Sequence, residues 1–198
     1  MDERPQTLRL SSRLIVALIV LCMGSAPLIS NPLQGFATDL EGRPFDPFRE
    51  ARGKVVVMIF VRTDCPISNR YAPAIQLLSA RNRDKTEFFL VYPAKKETAD
   101  SIRKHDHEFG YTLAALRDPQ HLLVKQSQVQ ITPEAAVFDA NRRLVYHGRI
   151  DNLYEDFGHA RKNATTHELA DAIEAAIAGK TLSANATPAV GCYISDLE

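Results

Sequence analysis

Phe60-Val-Arg-Thr-Asp-Cys-Pro-Ile-Ser-Asn-Arg-Tyr-Ala-Pro73 is the stretch that decides the fold, because it places a cysteine between a predicted strand and a predicted helix. The run Lys54–Val61 is a continuous series of β-branched and apolar residues after its lysine, as expected of a strand buried on both faces. Pro66 then opens a helix at its favoured first-turn position. The sequence therefore predicts that Cys65 lies at a strand-to-helix junction.

The helix N-terminus gives this cysteine a chemical role. Free amide N–H groups and the helix dipole favour a thiolate over a thiol at that position, which lowers the thiol pKa. The thiolate is the reactive form, so the position indicates nucleophilic or redox chemistry at Cys65. Asp64 opposes this effect, because a neighbouring negative charge raises the pKa of a thiol. Arg62 and Arg70 are the nearby cations that could compensate.

The remaining patterns indicate strands alternating with helices. Residues 31–52 form a predicted short hairpin, and the helix that starts at Pro66 carries apolar residues on one face at Ile67, Tyr71, Ile75 and Leu78. The further predicted elements are a strand at 87–92, a helix at 97–109, a strand at 113–116, a helix from Asp118 through Val124, a hairpin of strands at 135–138 and 144–147, and a helix at 167–178 that Thr166 caps and Gly179 ends. This order predicts an α/β fold whose mixed central sheet has a parallel part and an antiparallel edge.

The N-terminal segment differs from the rest of the chain. Arg9 and Arg13 precede the apolar run Leu14–Met23, and the small residues Gly24-Ser-Ala26 follow it. This is the pattern of a secretory signal, and the run is shorter than the about 20 apolar residues that span a bilayer. An uncleaved anchor is the alternative. We therefore expect a protein that is periplasmic or otherwise exported.

Three regions follow from these patterns. They are a signal peptide or N-terminal anchor over residues 1–30, a single domain over 31–179 and a polar tail over 180–198 that carries Cys192. The 24 Lys and Arg residues balance the 24 Asp and Glu residues, which gives no electrostatic ground for a nucleic-acid partner. A membrane contact is expected only through the N-terminal segment. Signal cleavage would leave Cys65 and Cys192, and two thiols in an oxidising compartment can pair.

Two motifs resemble those of the thioredoxin-like superfamily. Proteins of that family have Ala-Pro after the reactive cysteine, with the proline eight residues beyond it, and Ala72-Pro73 stands at that spacing from Cys65. The stretch Ile131-Thr-Pro-Glu-Ala-Ala-Val-Phe-Asp139 is similar to the family's cis-proline loop. The resemblance covers residues 36–179 and is closest to the redoxin branch, which groups peroxiredoxin-like and exported thiol-disulfide proteins. It implies a thioredoxin-like fold, a central mixed sheet flanked by helices, with Thr132 and cis Pro133 beside the reactive cysteine, where they help to bind the partner's backbone.

The sequence departs from the family pattern in three places. Ser68 replaces the second cysteine of Cys-x-x-Cys, so no disulfide can form within the helix. Asp64 replaces the usual aromatic residue before the first cysteine. Arg62 and Met58 stand where peroxiredoxins carry threonine and proline, with Thr63 one place off. A standard peroxidase is therefore not supported.

The C-terminal tail supplies another thiol. Cys192 lies in Pro188-Ala-Val-Gly-Cys-Tyr-Ile194, an apolar island in a polar tail, and such an island predicts docking onto the body of the domain. If the tail crosses the Cys65 pocket, Cys192 could act as the resolving thiol, as C-terminal cysteines do in some peroxiredoxins. A purely structural disulfide, or two unrelated thiols, are the alternatives.

The histidines suggest a metal site as a further alternative. His147 stands near the predicted hairpin, where the Sco copper chaperones, which share this fold, carry a ligand histidine. Those proteins need a second cysteine four residues after the first, and Asn69 stands there. Cys65, His147 and Cys192 are then the candidate metal ligands. His105 and His107 are interpreted as solvated surface residues.

The sequence thus predicts an exported redox protein that carries out thiol-disulfide or peroxide-type (antioxidant) chemistry. Cys65 would attack and Cys192 would resolve. The residues expected to shape the pocket are Thr63, Pro66, Ser68, Arg70, Thr132 and Pro133. The expected partner is a thiol or disulfide protein or a peroxide, and no cofactor is expected. The alternative is a copper or haem-assembly metallochaperone that binds metal through Cys65 without turnover.

Overall fold

The computed structural model describes residue 1, residues 36–182 and residues 184–195. The predicted signal segment over residues 1–30 therefore lies, but for its first residue, outside the described residues. In the part that is described, no helix is both long enough and apolar enough to cross a membrane.

A mixed sheet forms the centre of the domain. The strands in chain order are β1 (Ala37–Thr38), β2 (Pro44–Phe45), β3 (Val55–Phe60), β4 (Thr86–Tyr92), β5 (Ala114–Arg117), β6 (Ile131–Thr132), β7 (Glu134–Phe138), β8 (Leu144–Gly148), β9 (Tyr154–Asp156), β10 (His159–Ala160), β11 (Ala186–Thr187) and β12 (Cys192–Tyr193). The main sheet has the order β11-β8-β7-β3-β4-β5-β1-β2, while β9 pairs with β10 and β6 with β12. β3, β4 and β5 are parallel, and β7 is antiparallel to both β3 and β8. The predicted mixed sheet with an antiparallel edge is confirmed.

Helices cover both faces of this sheet. They are α1 (Pro47–Glu50), α2 (Pro66–Arg70), α3 (Ala72–Asn82), α4 (Ala99–Phe109), α5 (Leu122–Ser127) and α6 (Glu168–Ile177). Successive residues of β3 point to opposite faces, so Val57 and Ile59 join an apolar core with α2, α3, α4 and α6. Met58 and Phe60 join a core on the other face with α1 and α5. All six residues of β3 are buried, as the continuous apolar run predicted.

The predicted helix from Pro66 onward is divided into two. α2 ends at Arg70 and α3 begins at Ala72, with Tyr71 between them. Proline has no N–H to donate to the preceding turn, so Pro73 is tolerated only in the first turn of a new segment. The chain breaks the helix there while keeping Tyr71 and Ile75 buried on the core face.

Three other helix starts differ from the predicted ones. α4 begins at Ala99 rather than at 97, because the Thr98 hydroxyl accepts from the Ser101 N–H and the Ser101 hydroxyl accepts from the Thr98 N–H. α5 begins at Leu122 rather than at Asp118, whose carboxylate instead accepts hydrogen bonds from the first turn. The prediction that Thr166 caps the last helix is wrong, since the N-cap of α6 is His167 and the Thr166 hydroxyl donates to Glu168.

The tail that follows α6 docks onto the domain at two points. β11 adds to the main sheet parallel to β8, with Ala186 opposite His147. β12 pairs antiparallel with β6, with Cys192 opposite Thr132. Ile194, next after β12, is 5% exposed and belongs to the core that contains Phe60. The tail therefore reaches both the edge of the sheet and the loop before β7.

Candidate active site

Cys65 lies where β3 gives way to α2. It is the N-cap residue of α2, with an extended backbone, and its side chain is fully buried. Its carbonyl accepts the Asn69 N–H, the first hydrogen bond of the helix. The Cys65 Sγ is 3.1 Å from the carbonyl oxygen of Thr132, to which the protonated thiol donates. The peptide bond between Thr132 and Pro133 is cis. The strand-to-helix junction and the proline loop thus meet at the sulfur atom.

Cys192 is the nearest thiol to Cys65. The two Sγ atoms are 2.9 Å apart, although the two cysteines lie 127 positions apart in the chain. Both cysteines are free thiols in this structure. The Thr132 hydroxyl donates to the Cys192 carbonyl over 3.2 Å, so the same residue contacts both cysteines. The tail has brought the predicted pair together.

The two thiols differ in acidity. Burial raises the pKa of Cys65, but the hydrogen bond from the Cys192 thiol and the nearby hydroxyl and amide of Ser68 favour a charged sulfur, and together they lower the pKa below its ordinary value. Burial, the hydrogen bond to Cys65 and the negative charge of the Cys65 thiolate raise the pKa of Cys192 to about 12. Of the two thiols, Cys65 is therefore the one that loses its proton more readily. Such a difference suits a pair in which one thiol is the nucleophile and the other stays protonated.

Of the pocket residues predicted on α2, Ser68 is the one that faces the sulfur. It is fully buried, and its hydroxyl makes no well-directed hydrogen bond with a described residue. It is nevertheless close enough to help lower the pKa of Cys65. Pro66 is exposed at the first position of α2. Arg70 is exposed at the last position, and the described residues give its side chain no hydrogen bond or ion pair, so the structure does not bring it to the thiol.

Arg62 compensates the charge of Asp64, which the sequence could not establish. Its Nη2 atom is 2.8 Å from the Asp64 carboxylate, and Nη1 is 3.5 Å from the carbonyl oxygen of Tyr193. The arginine therefore neutralises the acidic neighbour of Cys65 and also contacts the tail.

A buried glutamate beside the site was not predicted. Glu97 is 9% exposed and accepts the Thr63 N–H over 2.6 Å, while its other carboxylate oxygen is buried with no hydrogen-bond partner among the described residues. Burial raises the pKa of this carboxyl group. Glu97 lines a cavity of about 510 Å³ together with Arg62, Asp64 and Ile194. The sequence signal was weak, because a glutamate just before a helix is ordinary.

A chain of buried polar groups also reaches α2 from the core. The His105 Nε2 is 2.8 Å from Asn69 Oδ1, and its Nδ1 is 2.8 Å from the Tyr92 hydroxyl. The Asn69 amide in turn donates to the Thr63 carbonyl over 3.3 Å. His105 is 4% exposed, so its interpretation as a surface residue is wrong. The chain fixes the first turn of α2 relative to β4 and α4.

The candidate metal ligands are not assembled. No cluster of three or more histidine, cysteine or acidic side chains able to hold a metal ion occurs in the described part of the chain. The His147 Nδ1 contacts the Glu134 carboxylate at 3.5 Å instead of joining the two thiols. His147 lies on β8, which is separated from β3 by β7. The set Cys65, His147 and Cys192 therefore does not fit a copper site.

Comparison with known proteins places the fold. No family model and no curated protein matches the chain. Among solved structures, it is similar to a hypothetical protein from Sinorhizobium meliloti 1021, with a TM-score of 0.65 and 23% identity over 80% of this chain and 88% of that one. An uncharacterized conserved protein from Geobacillus kaustophilus gives a TM-score of 0.62 and 18% identity over 80% and 86% of the two chains.

A further similar structure has a described activity. It is a secreted disulfide oxidoreductase from Mycobacterium tuberculosis, homologous to E. coli DsbE, with a TM-score of 0.51 and 21% identity over 72% of this chain and 96% of that one. Identities this low establish the fold and not the activity. The fold of these neighbours agrees with the thioredoxin-like fold that the motifs around Cys65 and Pro133 implied. The fold of this chain is thioredoxin-like.

Proposed function

We propose that the protein is a thiol-disulfide oxidoreductase in which Cys65 attacks and Cys192 resolves. The observation that carries this proposal is the 2.9 Å approach of the two sulfur atoms at a helix N-terminus beside cis Pro133. The lowered pKa of Cys65 and the raised pKa of Cys192 support the assignment of the two roles. The secreted M. tuberculosis neighbour, a disulfide oxidoreductase, supports the same class of reaction.

The reaction begins from the two free thiols. The Cys65 thiolate attacks one sulfur of a partner disulfide and forms a mixed disulfide, and the partner's other sulfur leaves as a thiolate. The Cys192 thiol gives its proton to that thiolate and attacks the Cys65 sulfur, which releases the partner's second sulfur as a thiolate that takes a proton from water. The partner gains two electrons and two protons, and the protein is left with a Cys65–Cys192 disulfide. The reverse sequence oxidises a partner dithiol.

The thiol pair changes acidity during this sequence. Part of the rise in the Cys192 pKa comes from its hydrogen bond to Cys65 and from the charge on the Cys65 thiolate. Both effects disappear once Cys65 is bound in a mixed disulfide and has no charge. The pKa of Cys192 then falls at the step in which it must act as a nucleophile. Cys192 therefore keeps its proton before the first step and can lose it afterwards.

We also propose that this chemistry takes place outside the cytoplasm, on the basis of the signal pattern in residues 1–30. Peroxide reduction is a second use of the same thiols. The Cys65 thiolate would attack one oxygen of the peroxide and form a sulfenic acid, while the O–O bond breaks and the other oxygen leaves as hydroxide or alkoxide and takes up a proton. The Cys192 thiol would then condense with the sulfenic acid to give the Cys65–Cys192 disulfide and water. The proximity of Cys192 favours that condensation.

Trapping the mixed disulfide tests the proposed function. The reduced full-length protein, Cys65→Ser and Cys192→Ser are each mixed with a disulfide-bonded peptide, and the products are identified by mass spectrometry. We expect reduced peptide and an intramolecular Cys65–Cys192 disulfide with the unchanged protein. Cys192→Ser should accumulate the mixed disulfide at Cys65, and Cys65→Ser should give no product. Full exchange by Cys65→Ser would overturn the proposal, and faster reaction with peroxide than with the peptide would favour the second use.

A further inference from the structure

The tail lies against the site as an added β-strand. Cys192 pairs with Thr132, and the Ile194 N–H donates to the Gln130 carbonyl over 2.9 Å. Both contacts use backbone groups on each side, apart from the Thr132 hydroxyl that donates to the Cys192 carbonyl. Any extended chain can make backbone hydrogen bonds of this kind. The edge of β6 therefore accepts a peptide strand whose cysteine faces Cys65, and the tail occupies it in this structure.

We propose that residues 190–194 occupy the place of the partner's chain, and that this place selects partners by two side-chain positions. The partner segment is extended, with glycine directly before its cysteine and a large apolar residue two positions after it. The inference rests on the proposed function and adds to it the class of protein substrate. It also requires that the partner displaces the tail strand from β6.

The position directly before the cysteine, which Gly191 occupies, leaves no room for a side chain. A Cβ atom at Gly191 would lie 2.1 Å from the Thr132 carbonyl oxygen and 3.0 Å from Ile131 Cγ2. The first distance is far shorter than a real contact, and the atom it meets belongs to the backbone of β6, which cannot rotate away. The backbone of Gly191 is not in the left-handed region, so close approach, not backbone conformation, is what requires glycine here. A partner strand in the same register meets the same carbonyl.

The two positions after the cysteine differ from each other. The Tyr193 side chain is 74% exposed, so it offers the site nothing to recognise. Ile194 is 5% exposed and packs into the core that contains Phe60 and Val91. Burying an isoleucine side chain strengthens binding by roughly tenfold to a hundredfold. The position of Ile194 therefore selects an apolar side chain in the partner, whereas the position of Tyr193 accepts any side chain.

The tail can leave β6 without leaving the domain. The Thr187 hydroxyl hydrogen-bonds to the Tyr146 hydroxyl at 2.6 Å and accepts the Arg149 N–H, which holds β11 against β8. A Cβ atom at Gly148 would lie 2.3 Å from the Thr187 hydroxyl, so that contact is as close as the one at Gly191. Only residues 188–191 separate β11 from β12. A displaced β12 therefore stays within a few residues of the site.

This arrangement makes resolution and product release one event. A partner strand enters as β12 leaves, and Cys65 forms the mixed disulfide. When β12 returns, it competes for the same backbone groups of β6 and brings Cys192 to the Cys65 sulfur. The bond to the partner then breaks as its strand is displaced. The short tether keeps the effective concentration of the tail high, which drives this exchange.

Peptides with the sequence of residues 189–195 test the pattern. The peptide Ala-Val-Gly-Cys-Tyr-Ile-Ser carries its cysteine as a mixed disulfide with thionitrobenzoate, whose release is followed by absorbance. The protein is full-length Cys192→Ser, so only the first step occurs. Three variant peptides replace glycine by alanine, isoleucine by serine or tyrosine by serine. We expect the isoleucine variant to react between about tenfold and a hundredfold more slowly, as follows from losing one buried side chain. The glycine variant should be slowed at least as much, and the tyrosine variant should match the parent within about twofold.

The outcomes separate the two proposals. Equal rates for all four peptides would overturn the inference and leave the proposed function standing. If no peptide reacts faster with Cys192→Ser than with Cys65→Ser, which lacks the proposed nucleophile, the proposed function fails as well. A complementary experiment uses Ile194→Ser in the full chain with both cysteines present. Weaker docking of the tail should speed formation of the mixed disulfide and slow its resolution, whereas Leu77→Ser, at a half-exposed leucine of α3, should change neither rate. Equal changes in both rates would contradict the displacement.

Discussion

Cys65 follows a strand that is paired with β4 along its whole length and with β7 from Val56 to Phe60. Cys192 instead lies in a two-residue strand that is paired only with β6 among the described residues. The first cysteine is fully buried, and the second is partly exposed. A nucleophile benefits from a fixed position, because its pKa depends on the groups around it. A resolving thiol must move toward the first and away again. In the reaction that we propose, the paired strand β3 would hold the attacking thiol in place, and the short strand β12 would allow the resolving thiol to move.

The largest expected effect concerns the free energy of unfolding, and it compares substitutions in β3 and in the tail. Ile59→Ala in β3 should lower the free energy of unfolding by about 2–5 kcal/mol, because it removes a fully buried side chain from the core. Ile194→Ala should lower it much less, since the tail can detach while the domain stays folded. Urea denaturation gives both values, and limited proteolysis should show earlier cleavage of the tail in Ile194→Ala. Equal losses of stability would mean that the tail is part of the cooperative core.

A second expected effect concerns the reactivity of the thiols. At neutral pH, Cys65 should be alkylated faster than Cys192, since the pKa of Cys65 is lowered and a pKa of about 12 leaves Cys192 almost wholly protonated. The greater intrinsic reactivity of a more basic thiolate offsets this difference only in part. Mass spectrometry of the labelled peptides measures both rates in one sample. Faster labelling of Cys192 would reverse the assignment of roles.

A smaller expected effect concerns the pKa of Cys65, and it distinguishes the hydrogen bond from the Cys192 thiol from the other contacts of the tail. Cys192→Ala removes the donor that helps lower the pKa of Cys65, so that pKa should rise. Cys192→Ser keeps a donor at the same place and should leave the pKa of Cys65 lower than in Cys192→Ala. The pH dependence of Cys65 alkylation in the two variants gives the comparison. Identical profiles would show that the donor does not matter.

The smallest expected effect lies at Glu97. Burial raises its folded-state pKa, so the protonated form stabilises the fold fully below the unfolded pKa, and that contribution is lost as the pH rises through the folded value. Glu97→Gln keeps an oxygen for the Thr63 N–H and removes the charge. The stability of the unchanged protein relative to Glu97→Gln should therefore fall with rising pH above about 4.3. Denaturation measured at several pH values tests this, and a constant difference would contradict it.

Local sequence patterns predicted the strand-to-helix junction at Cys65 and the docking of the tail. The apolar run of β3 and the first-turn position of Pro66 depend on neighbours in the chain, so the strand-to-helix junction could be predicted. The apolar residues around Cys192 indicated that the tail docks, because an isolated hydrophobic segment gains by burial. The resemblance supplied the proline loop at Pro133, which no local rule would have placed beside Cys65.

Contacts across long stretches of chain could not be predicted. Glu97 reaches Thr63 and His105 reaches Asn69 only because β4 and α4 pack against the start of α2. Arg70, which was expected to shape the pocket, does not reach the thiol, because α2 ends there with the side chain in solvent. Glycine before Cys192 gave no signal in the sequence, since its role depends on the Thr132 carbonyl opposite it.

The separation of 127 positions between the two cysteines has a mechanical consequence. In the oxidised form that we propose, a pulling force applied at both ends of the chain would pass from residue 65 to residue 192 through a single covalent bond. The segment between them, which contains every strand from β4 to β11, would bear no load. At about 3.5 Å per residue, the extension withheld until the bond is reduced is roughly 440 Å. The length released on stretching one molecule would thus report its redox state.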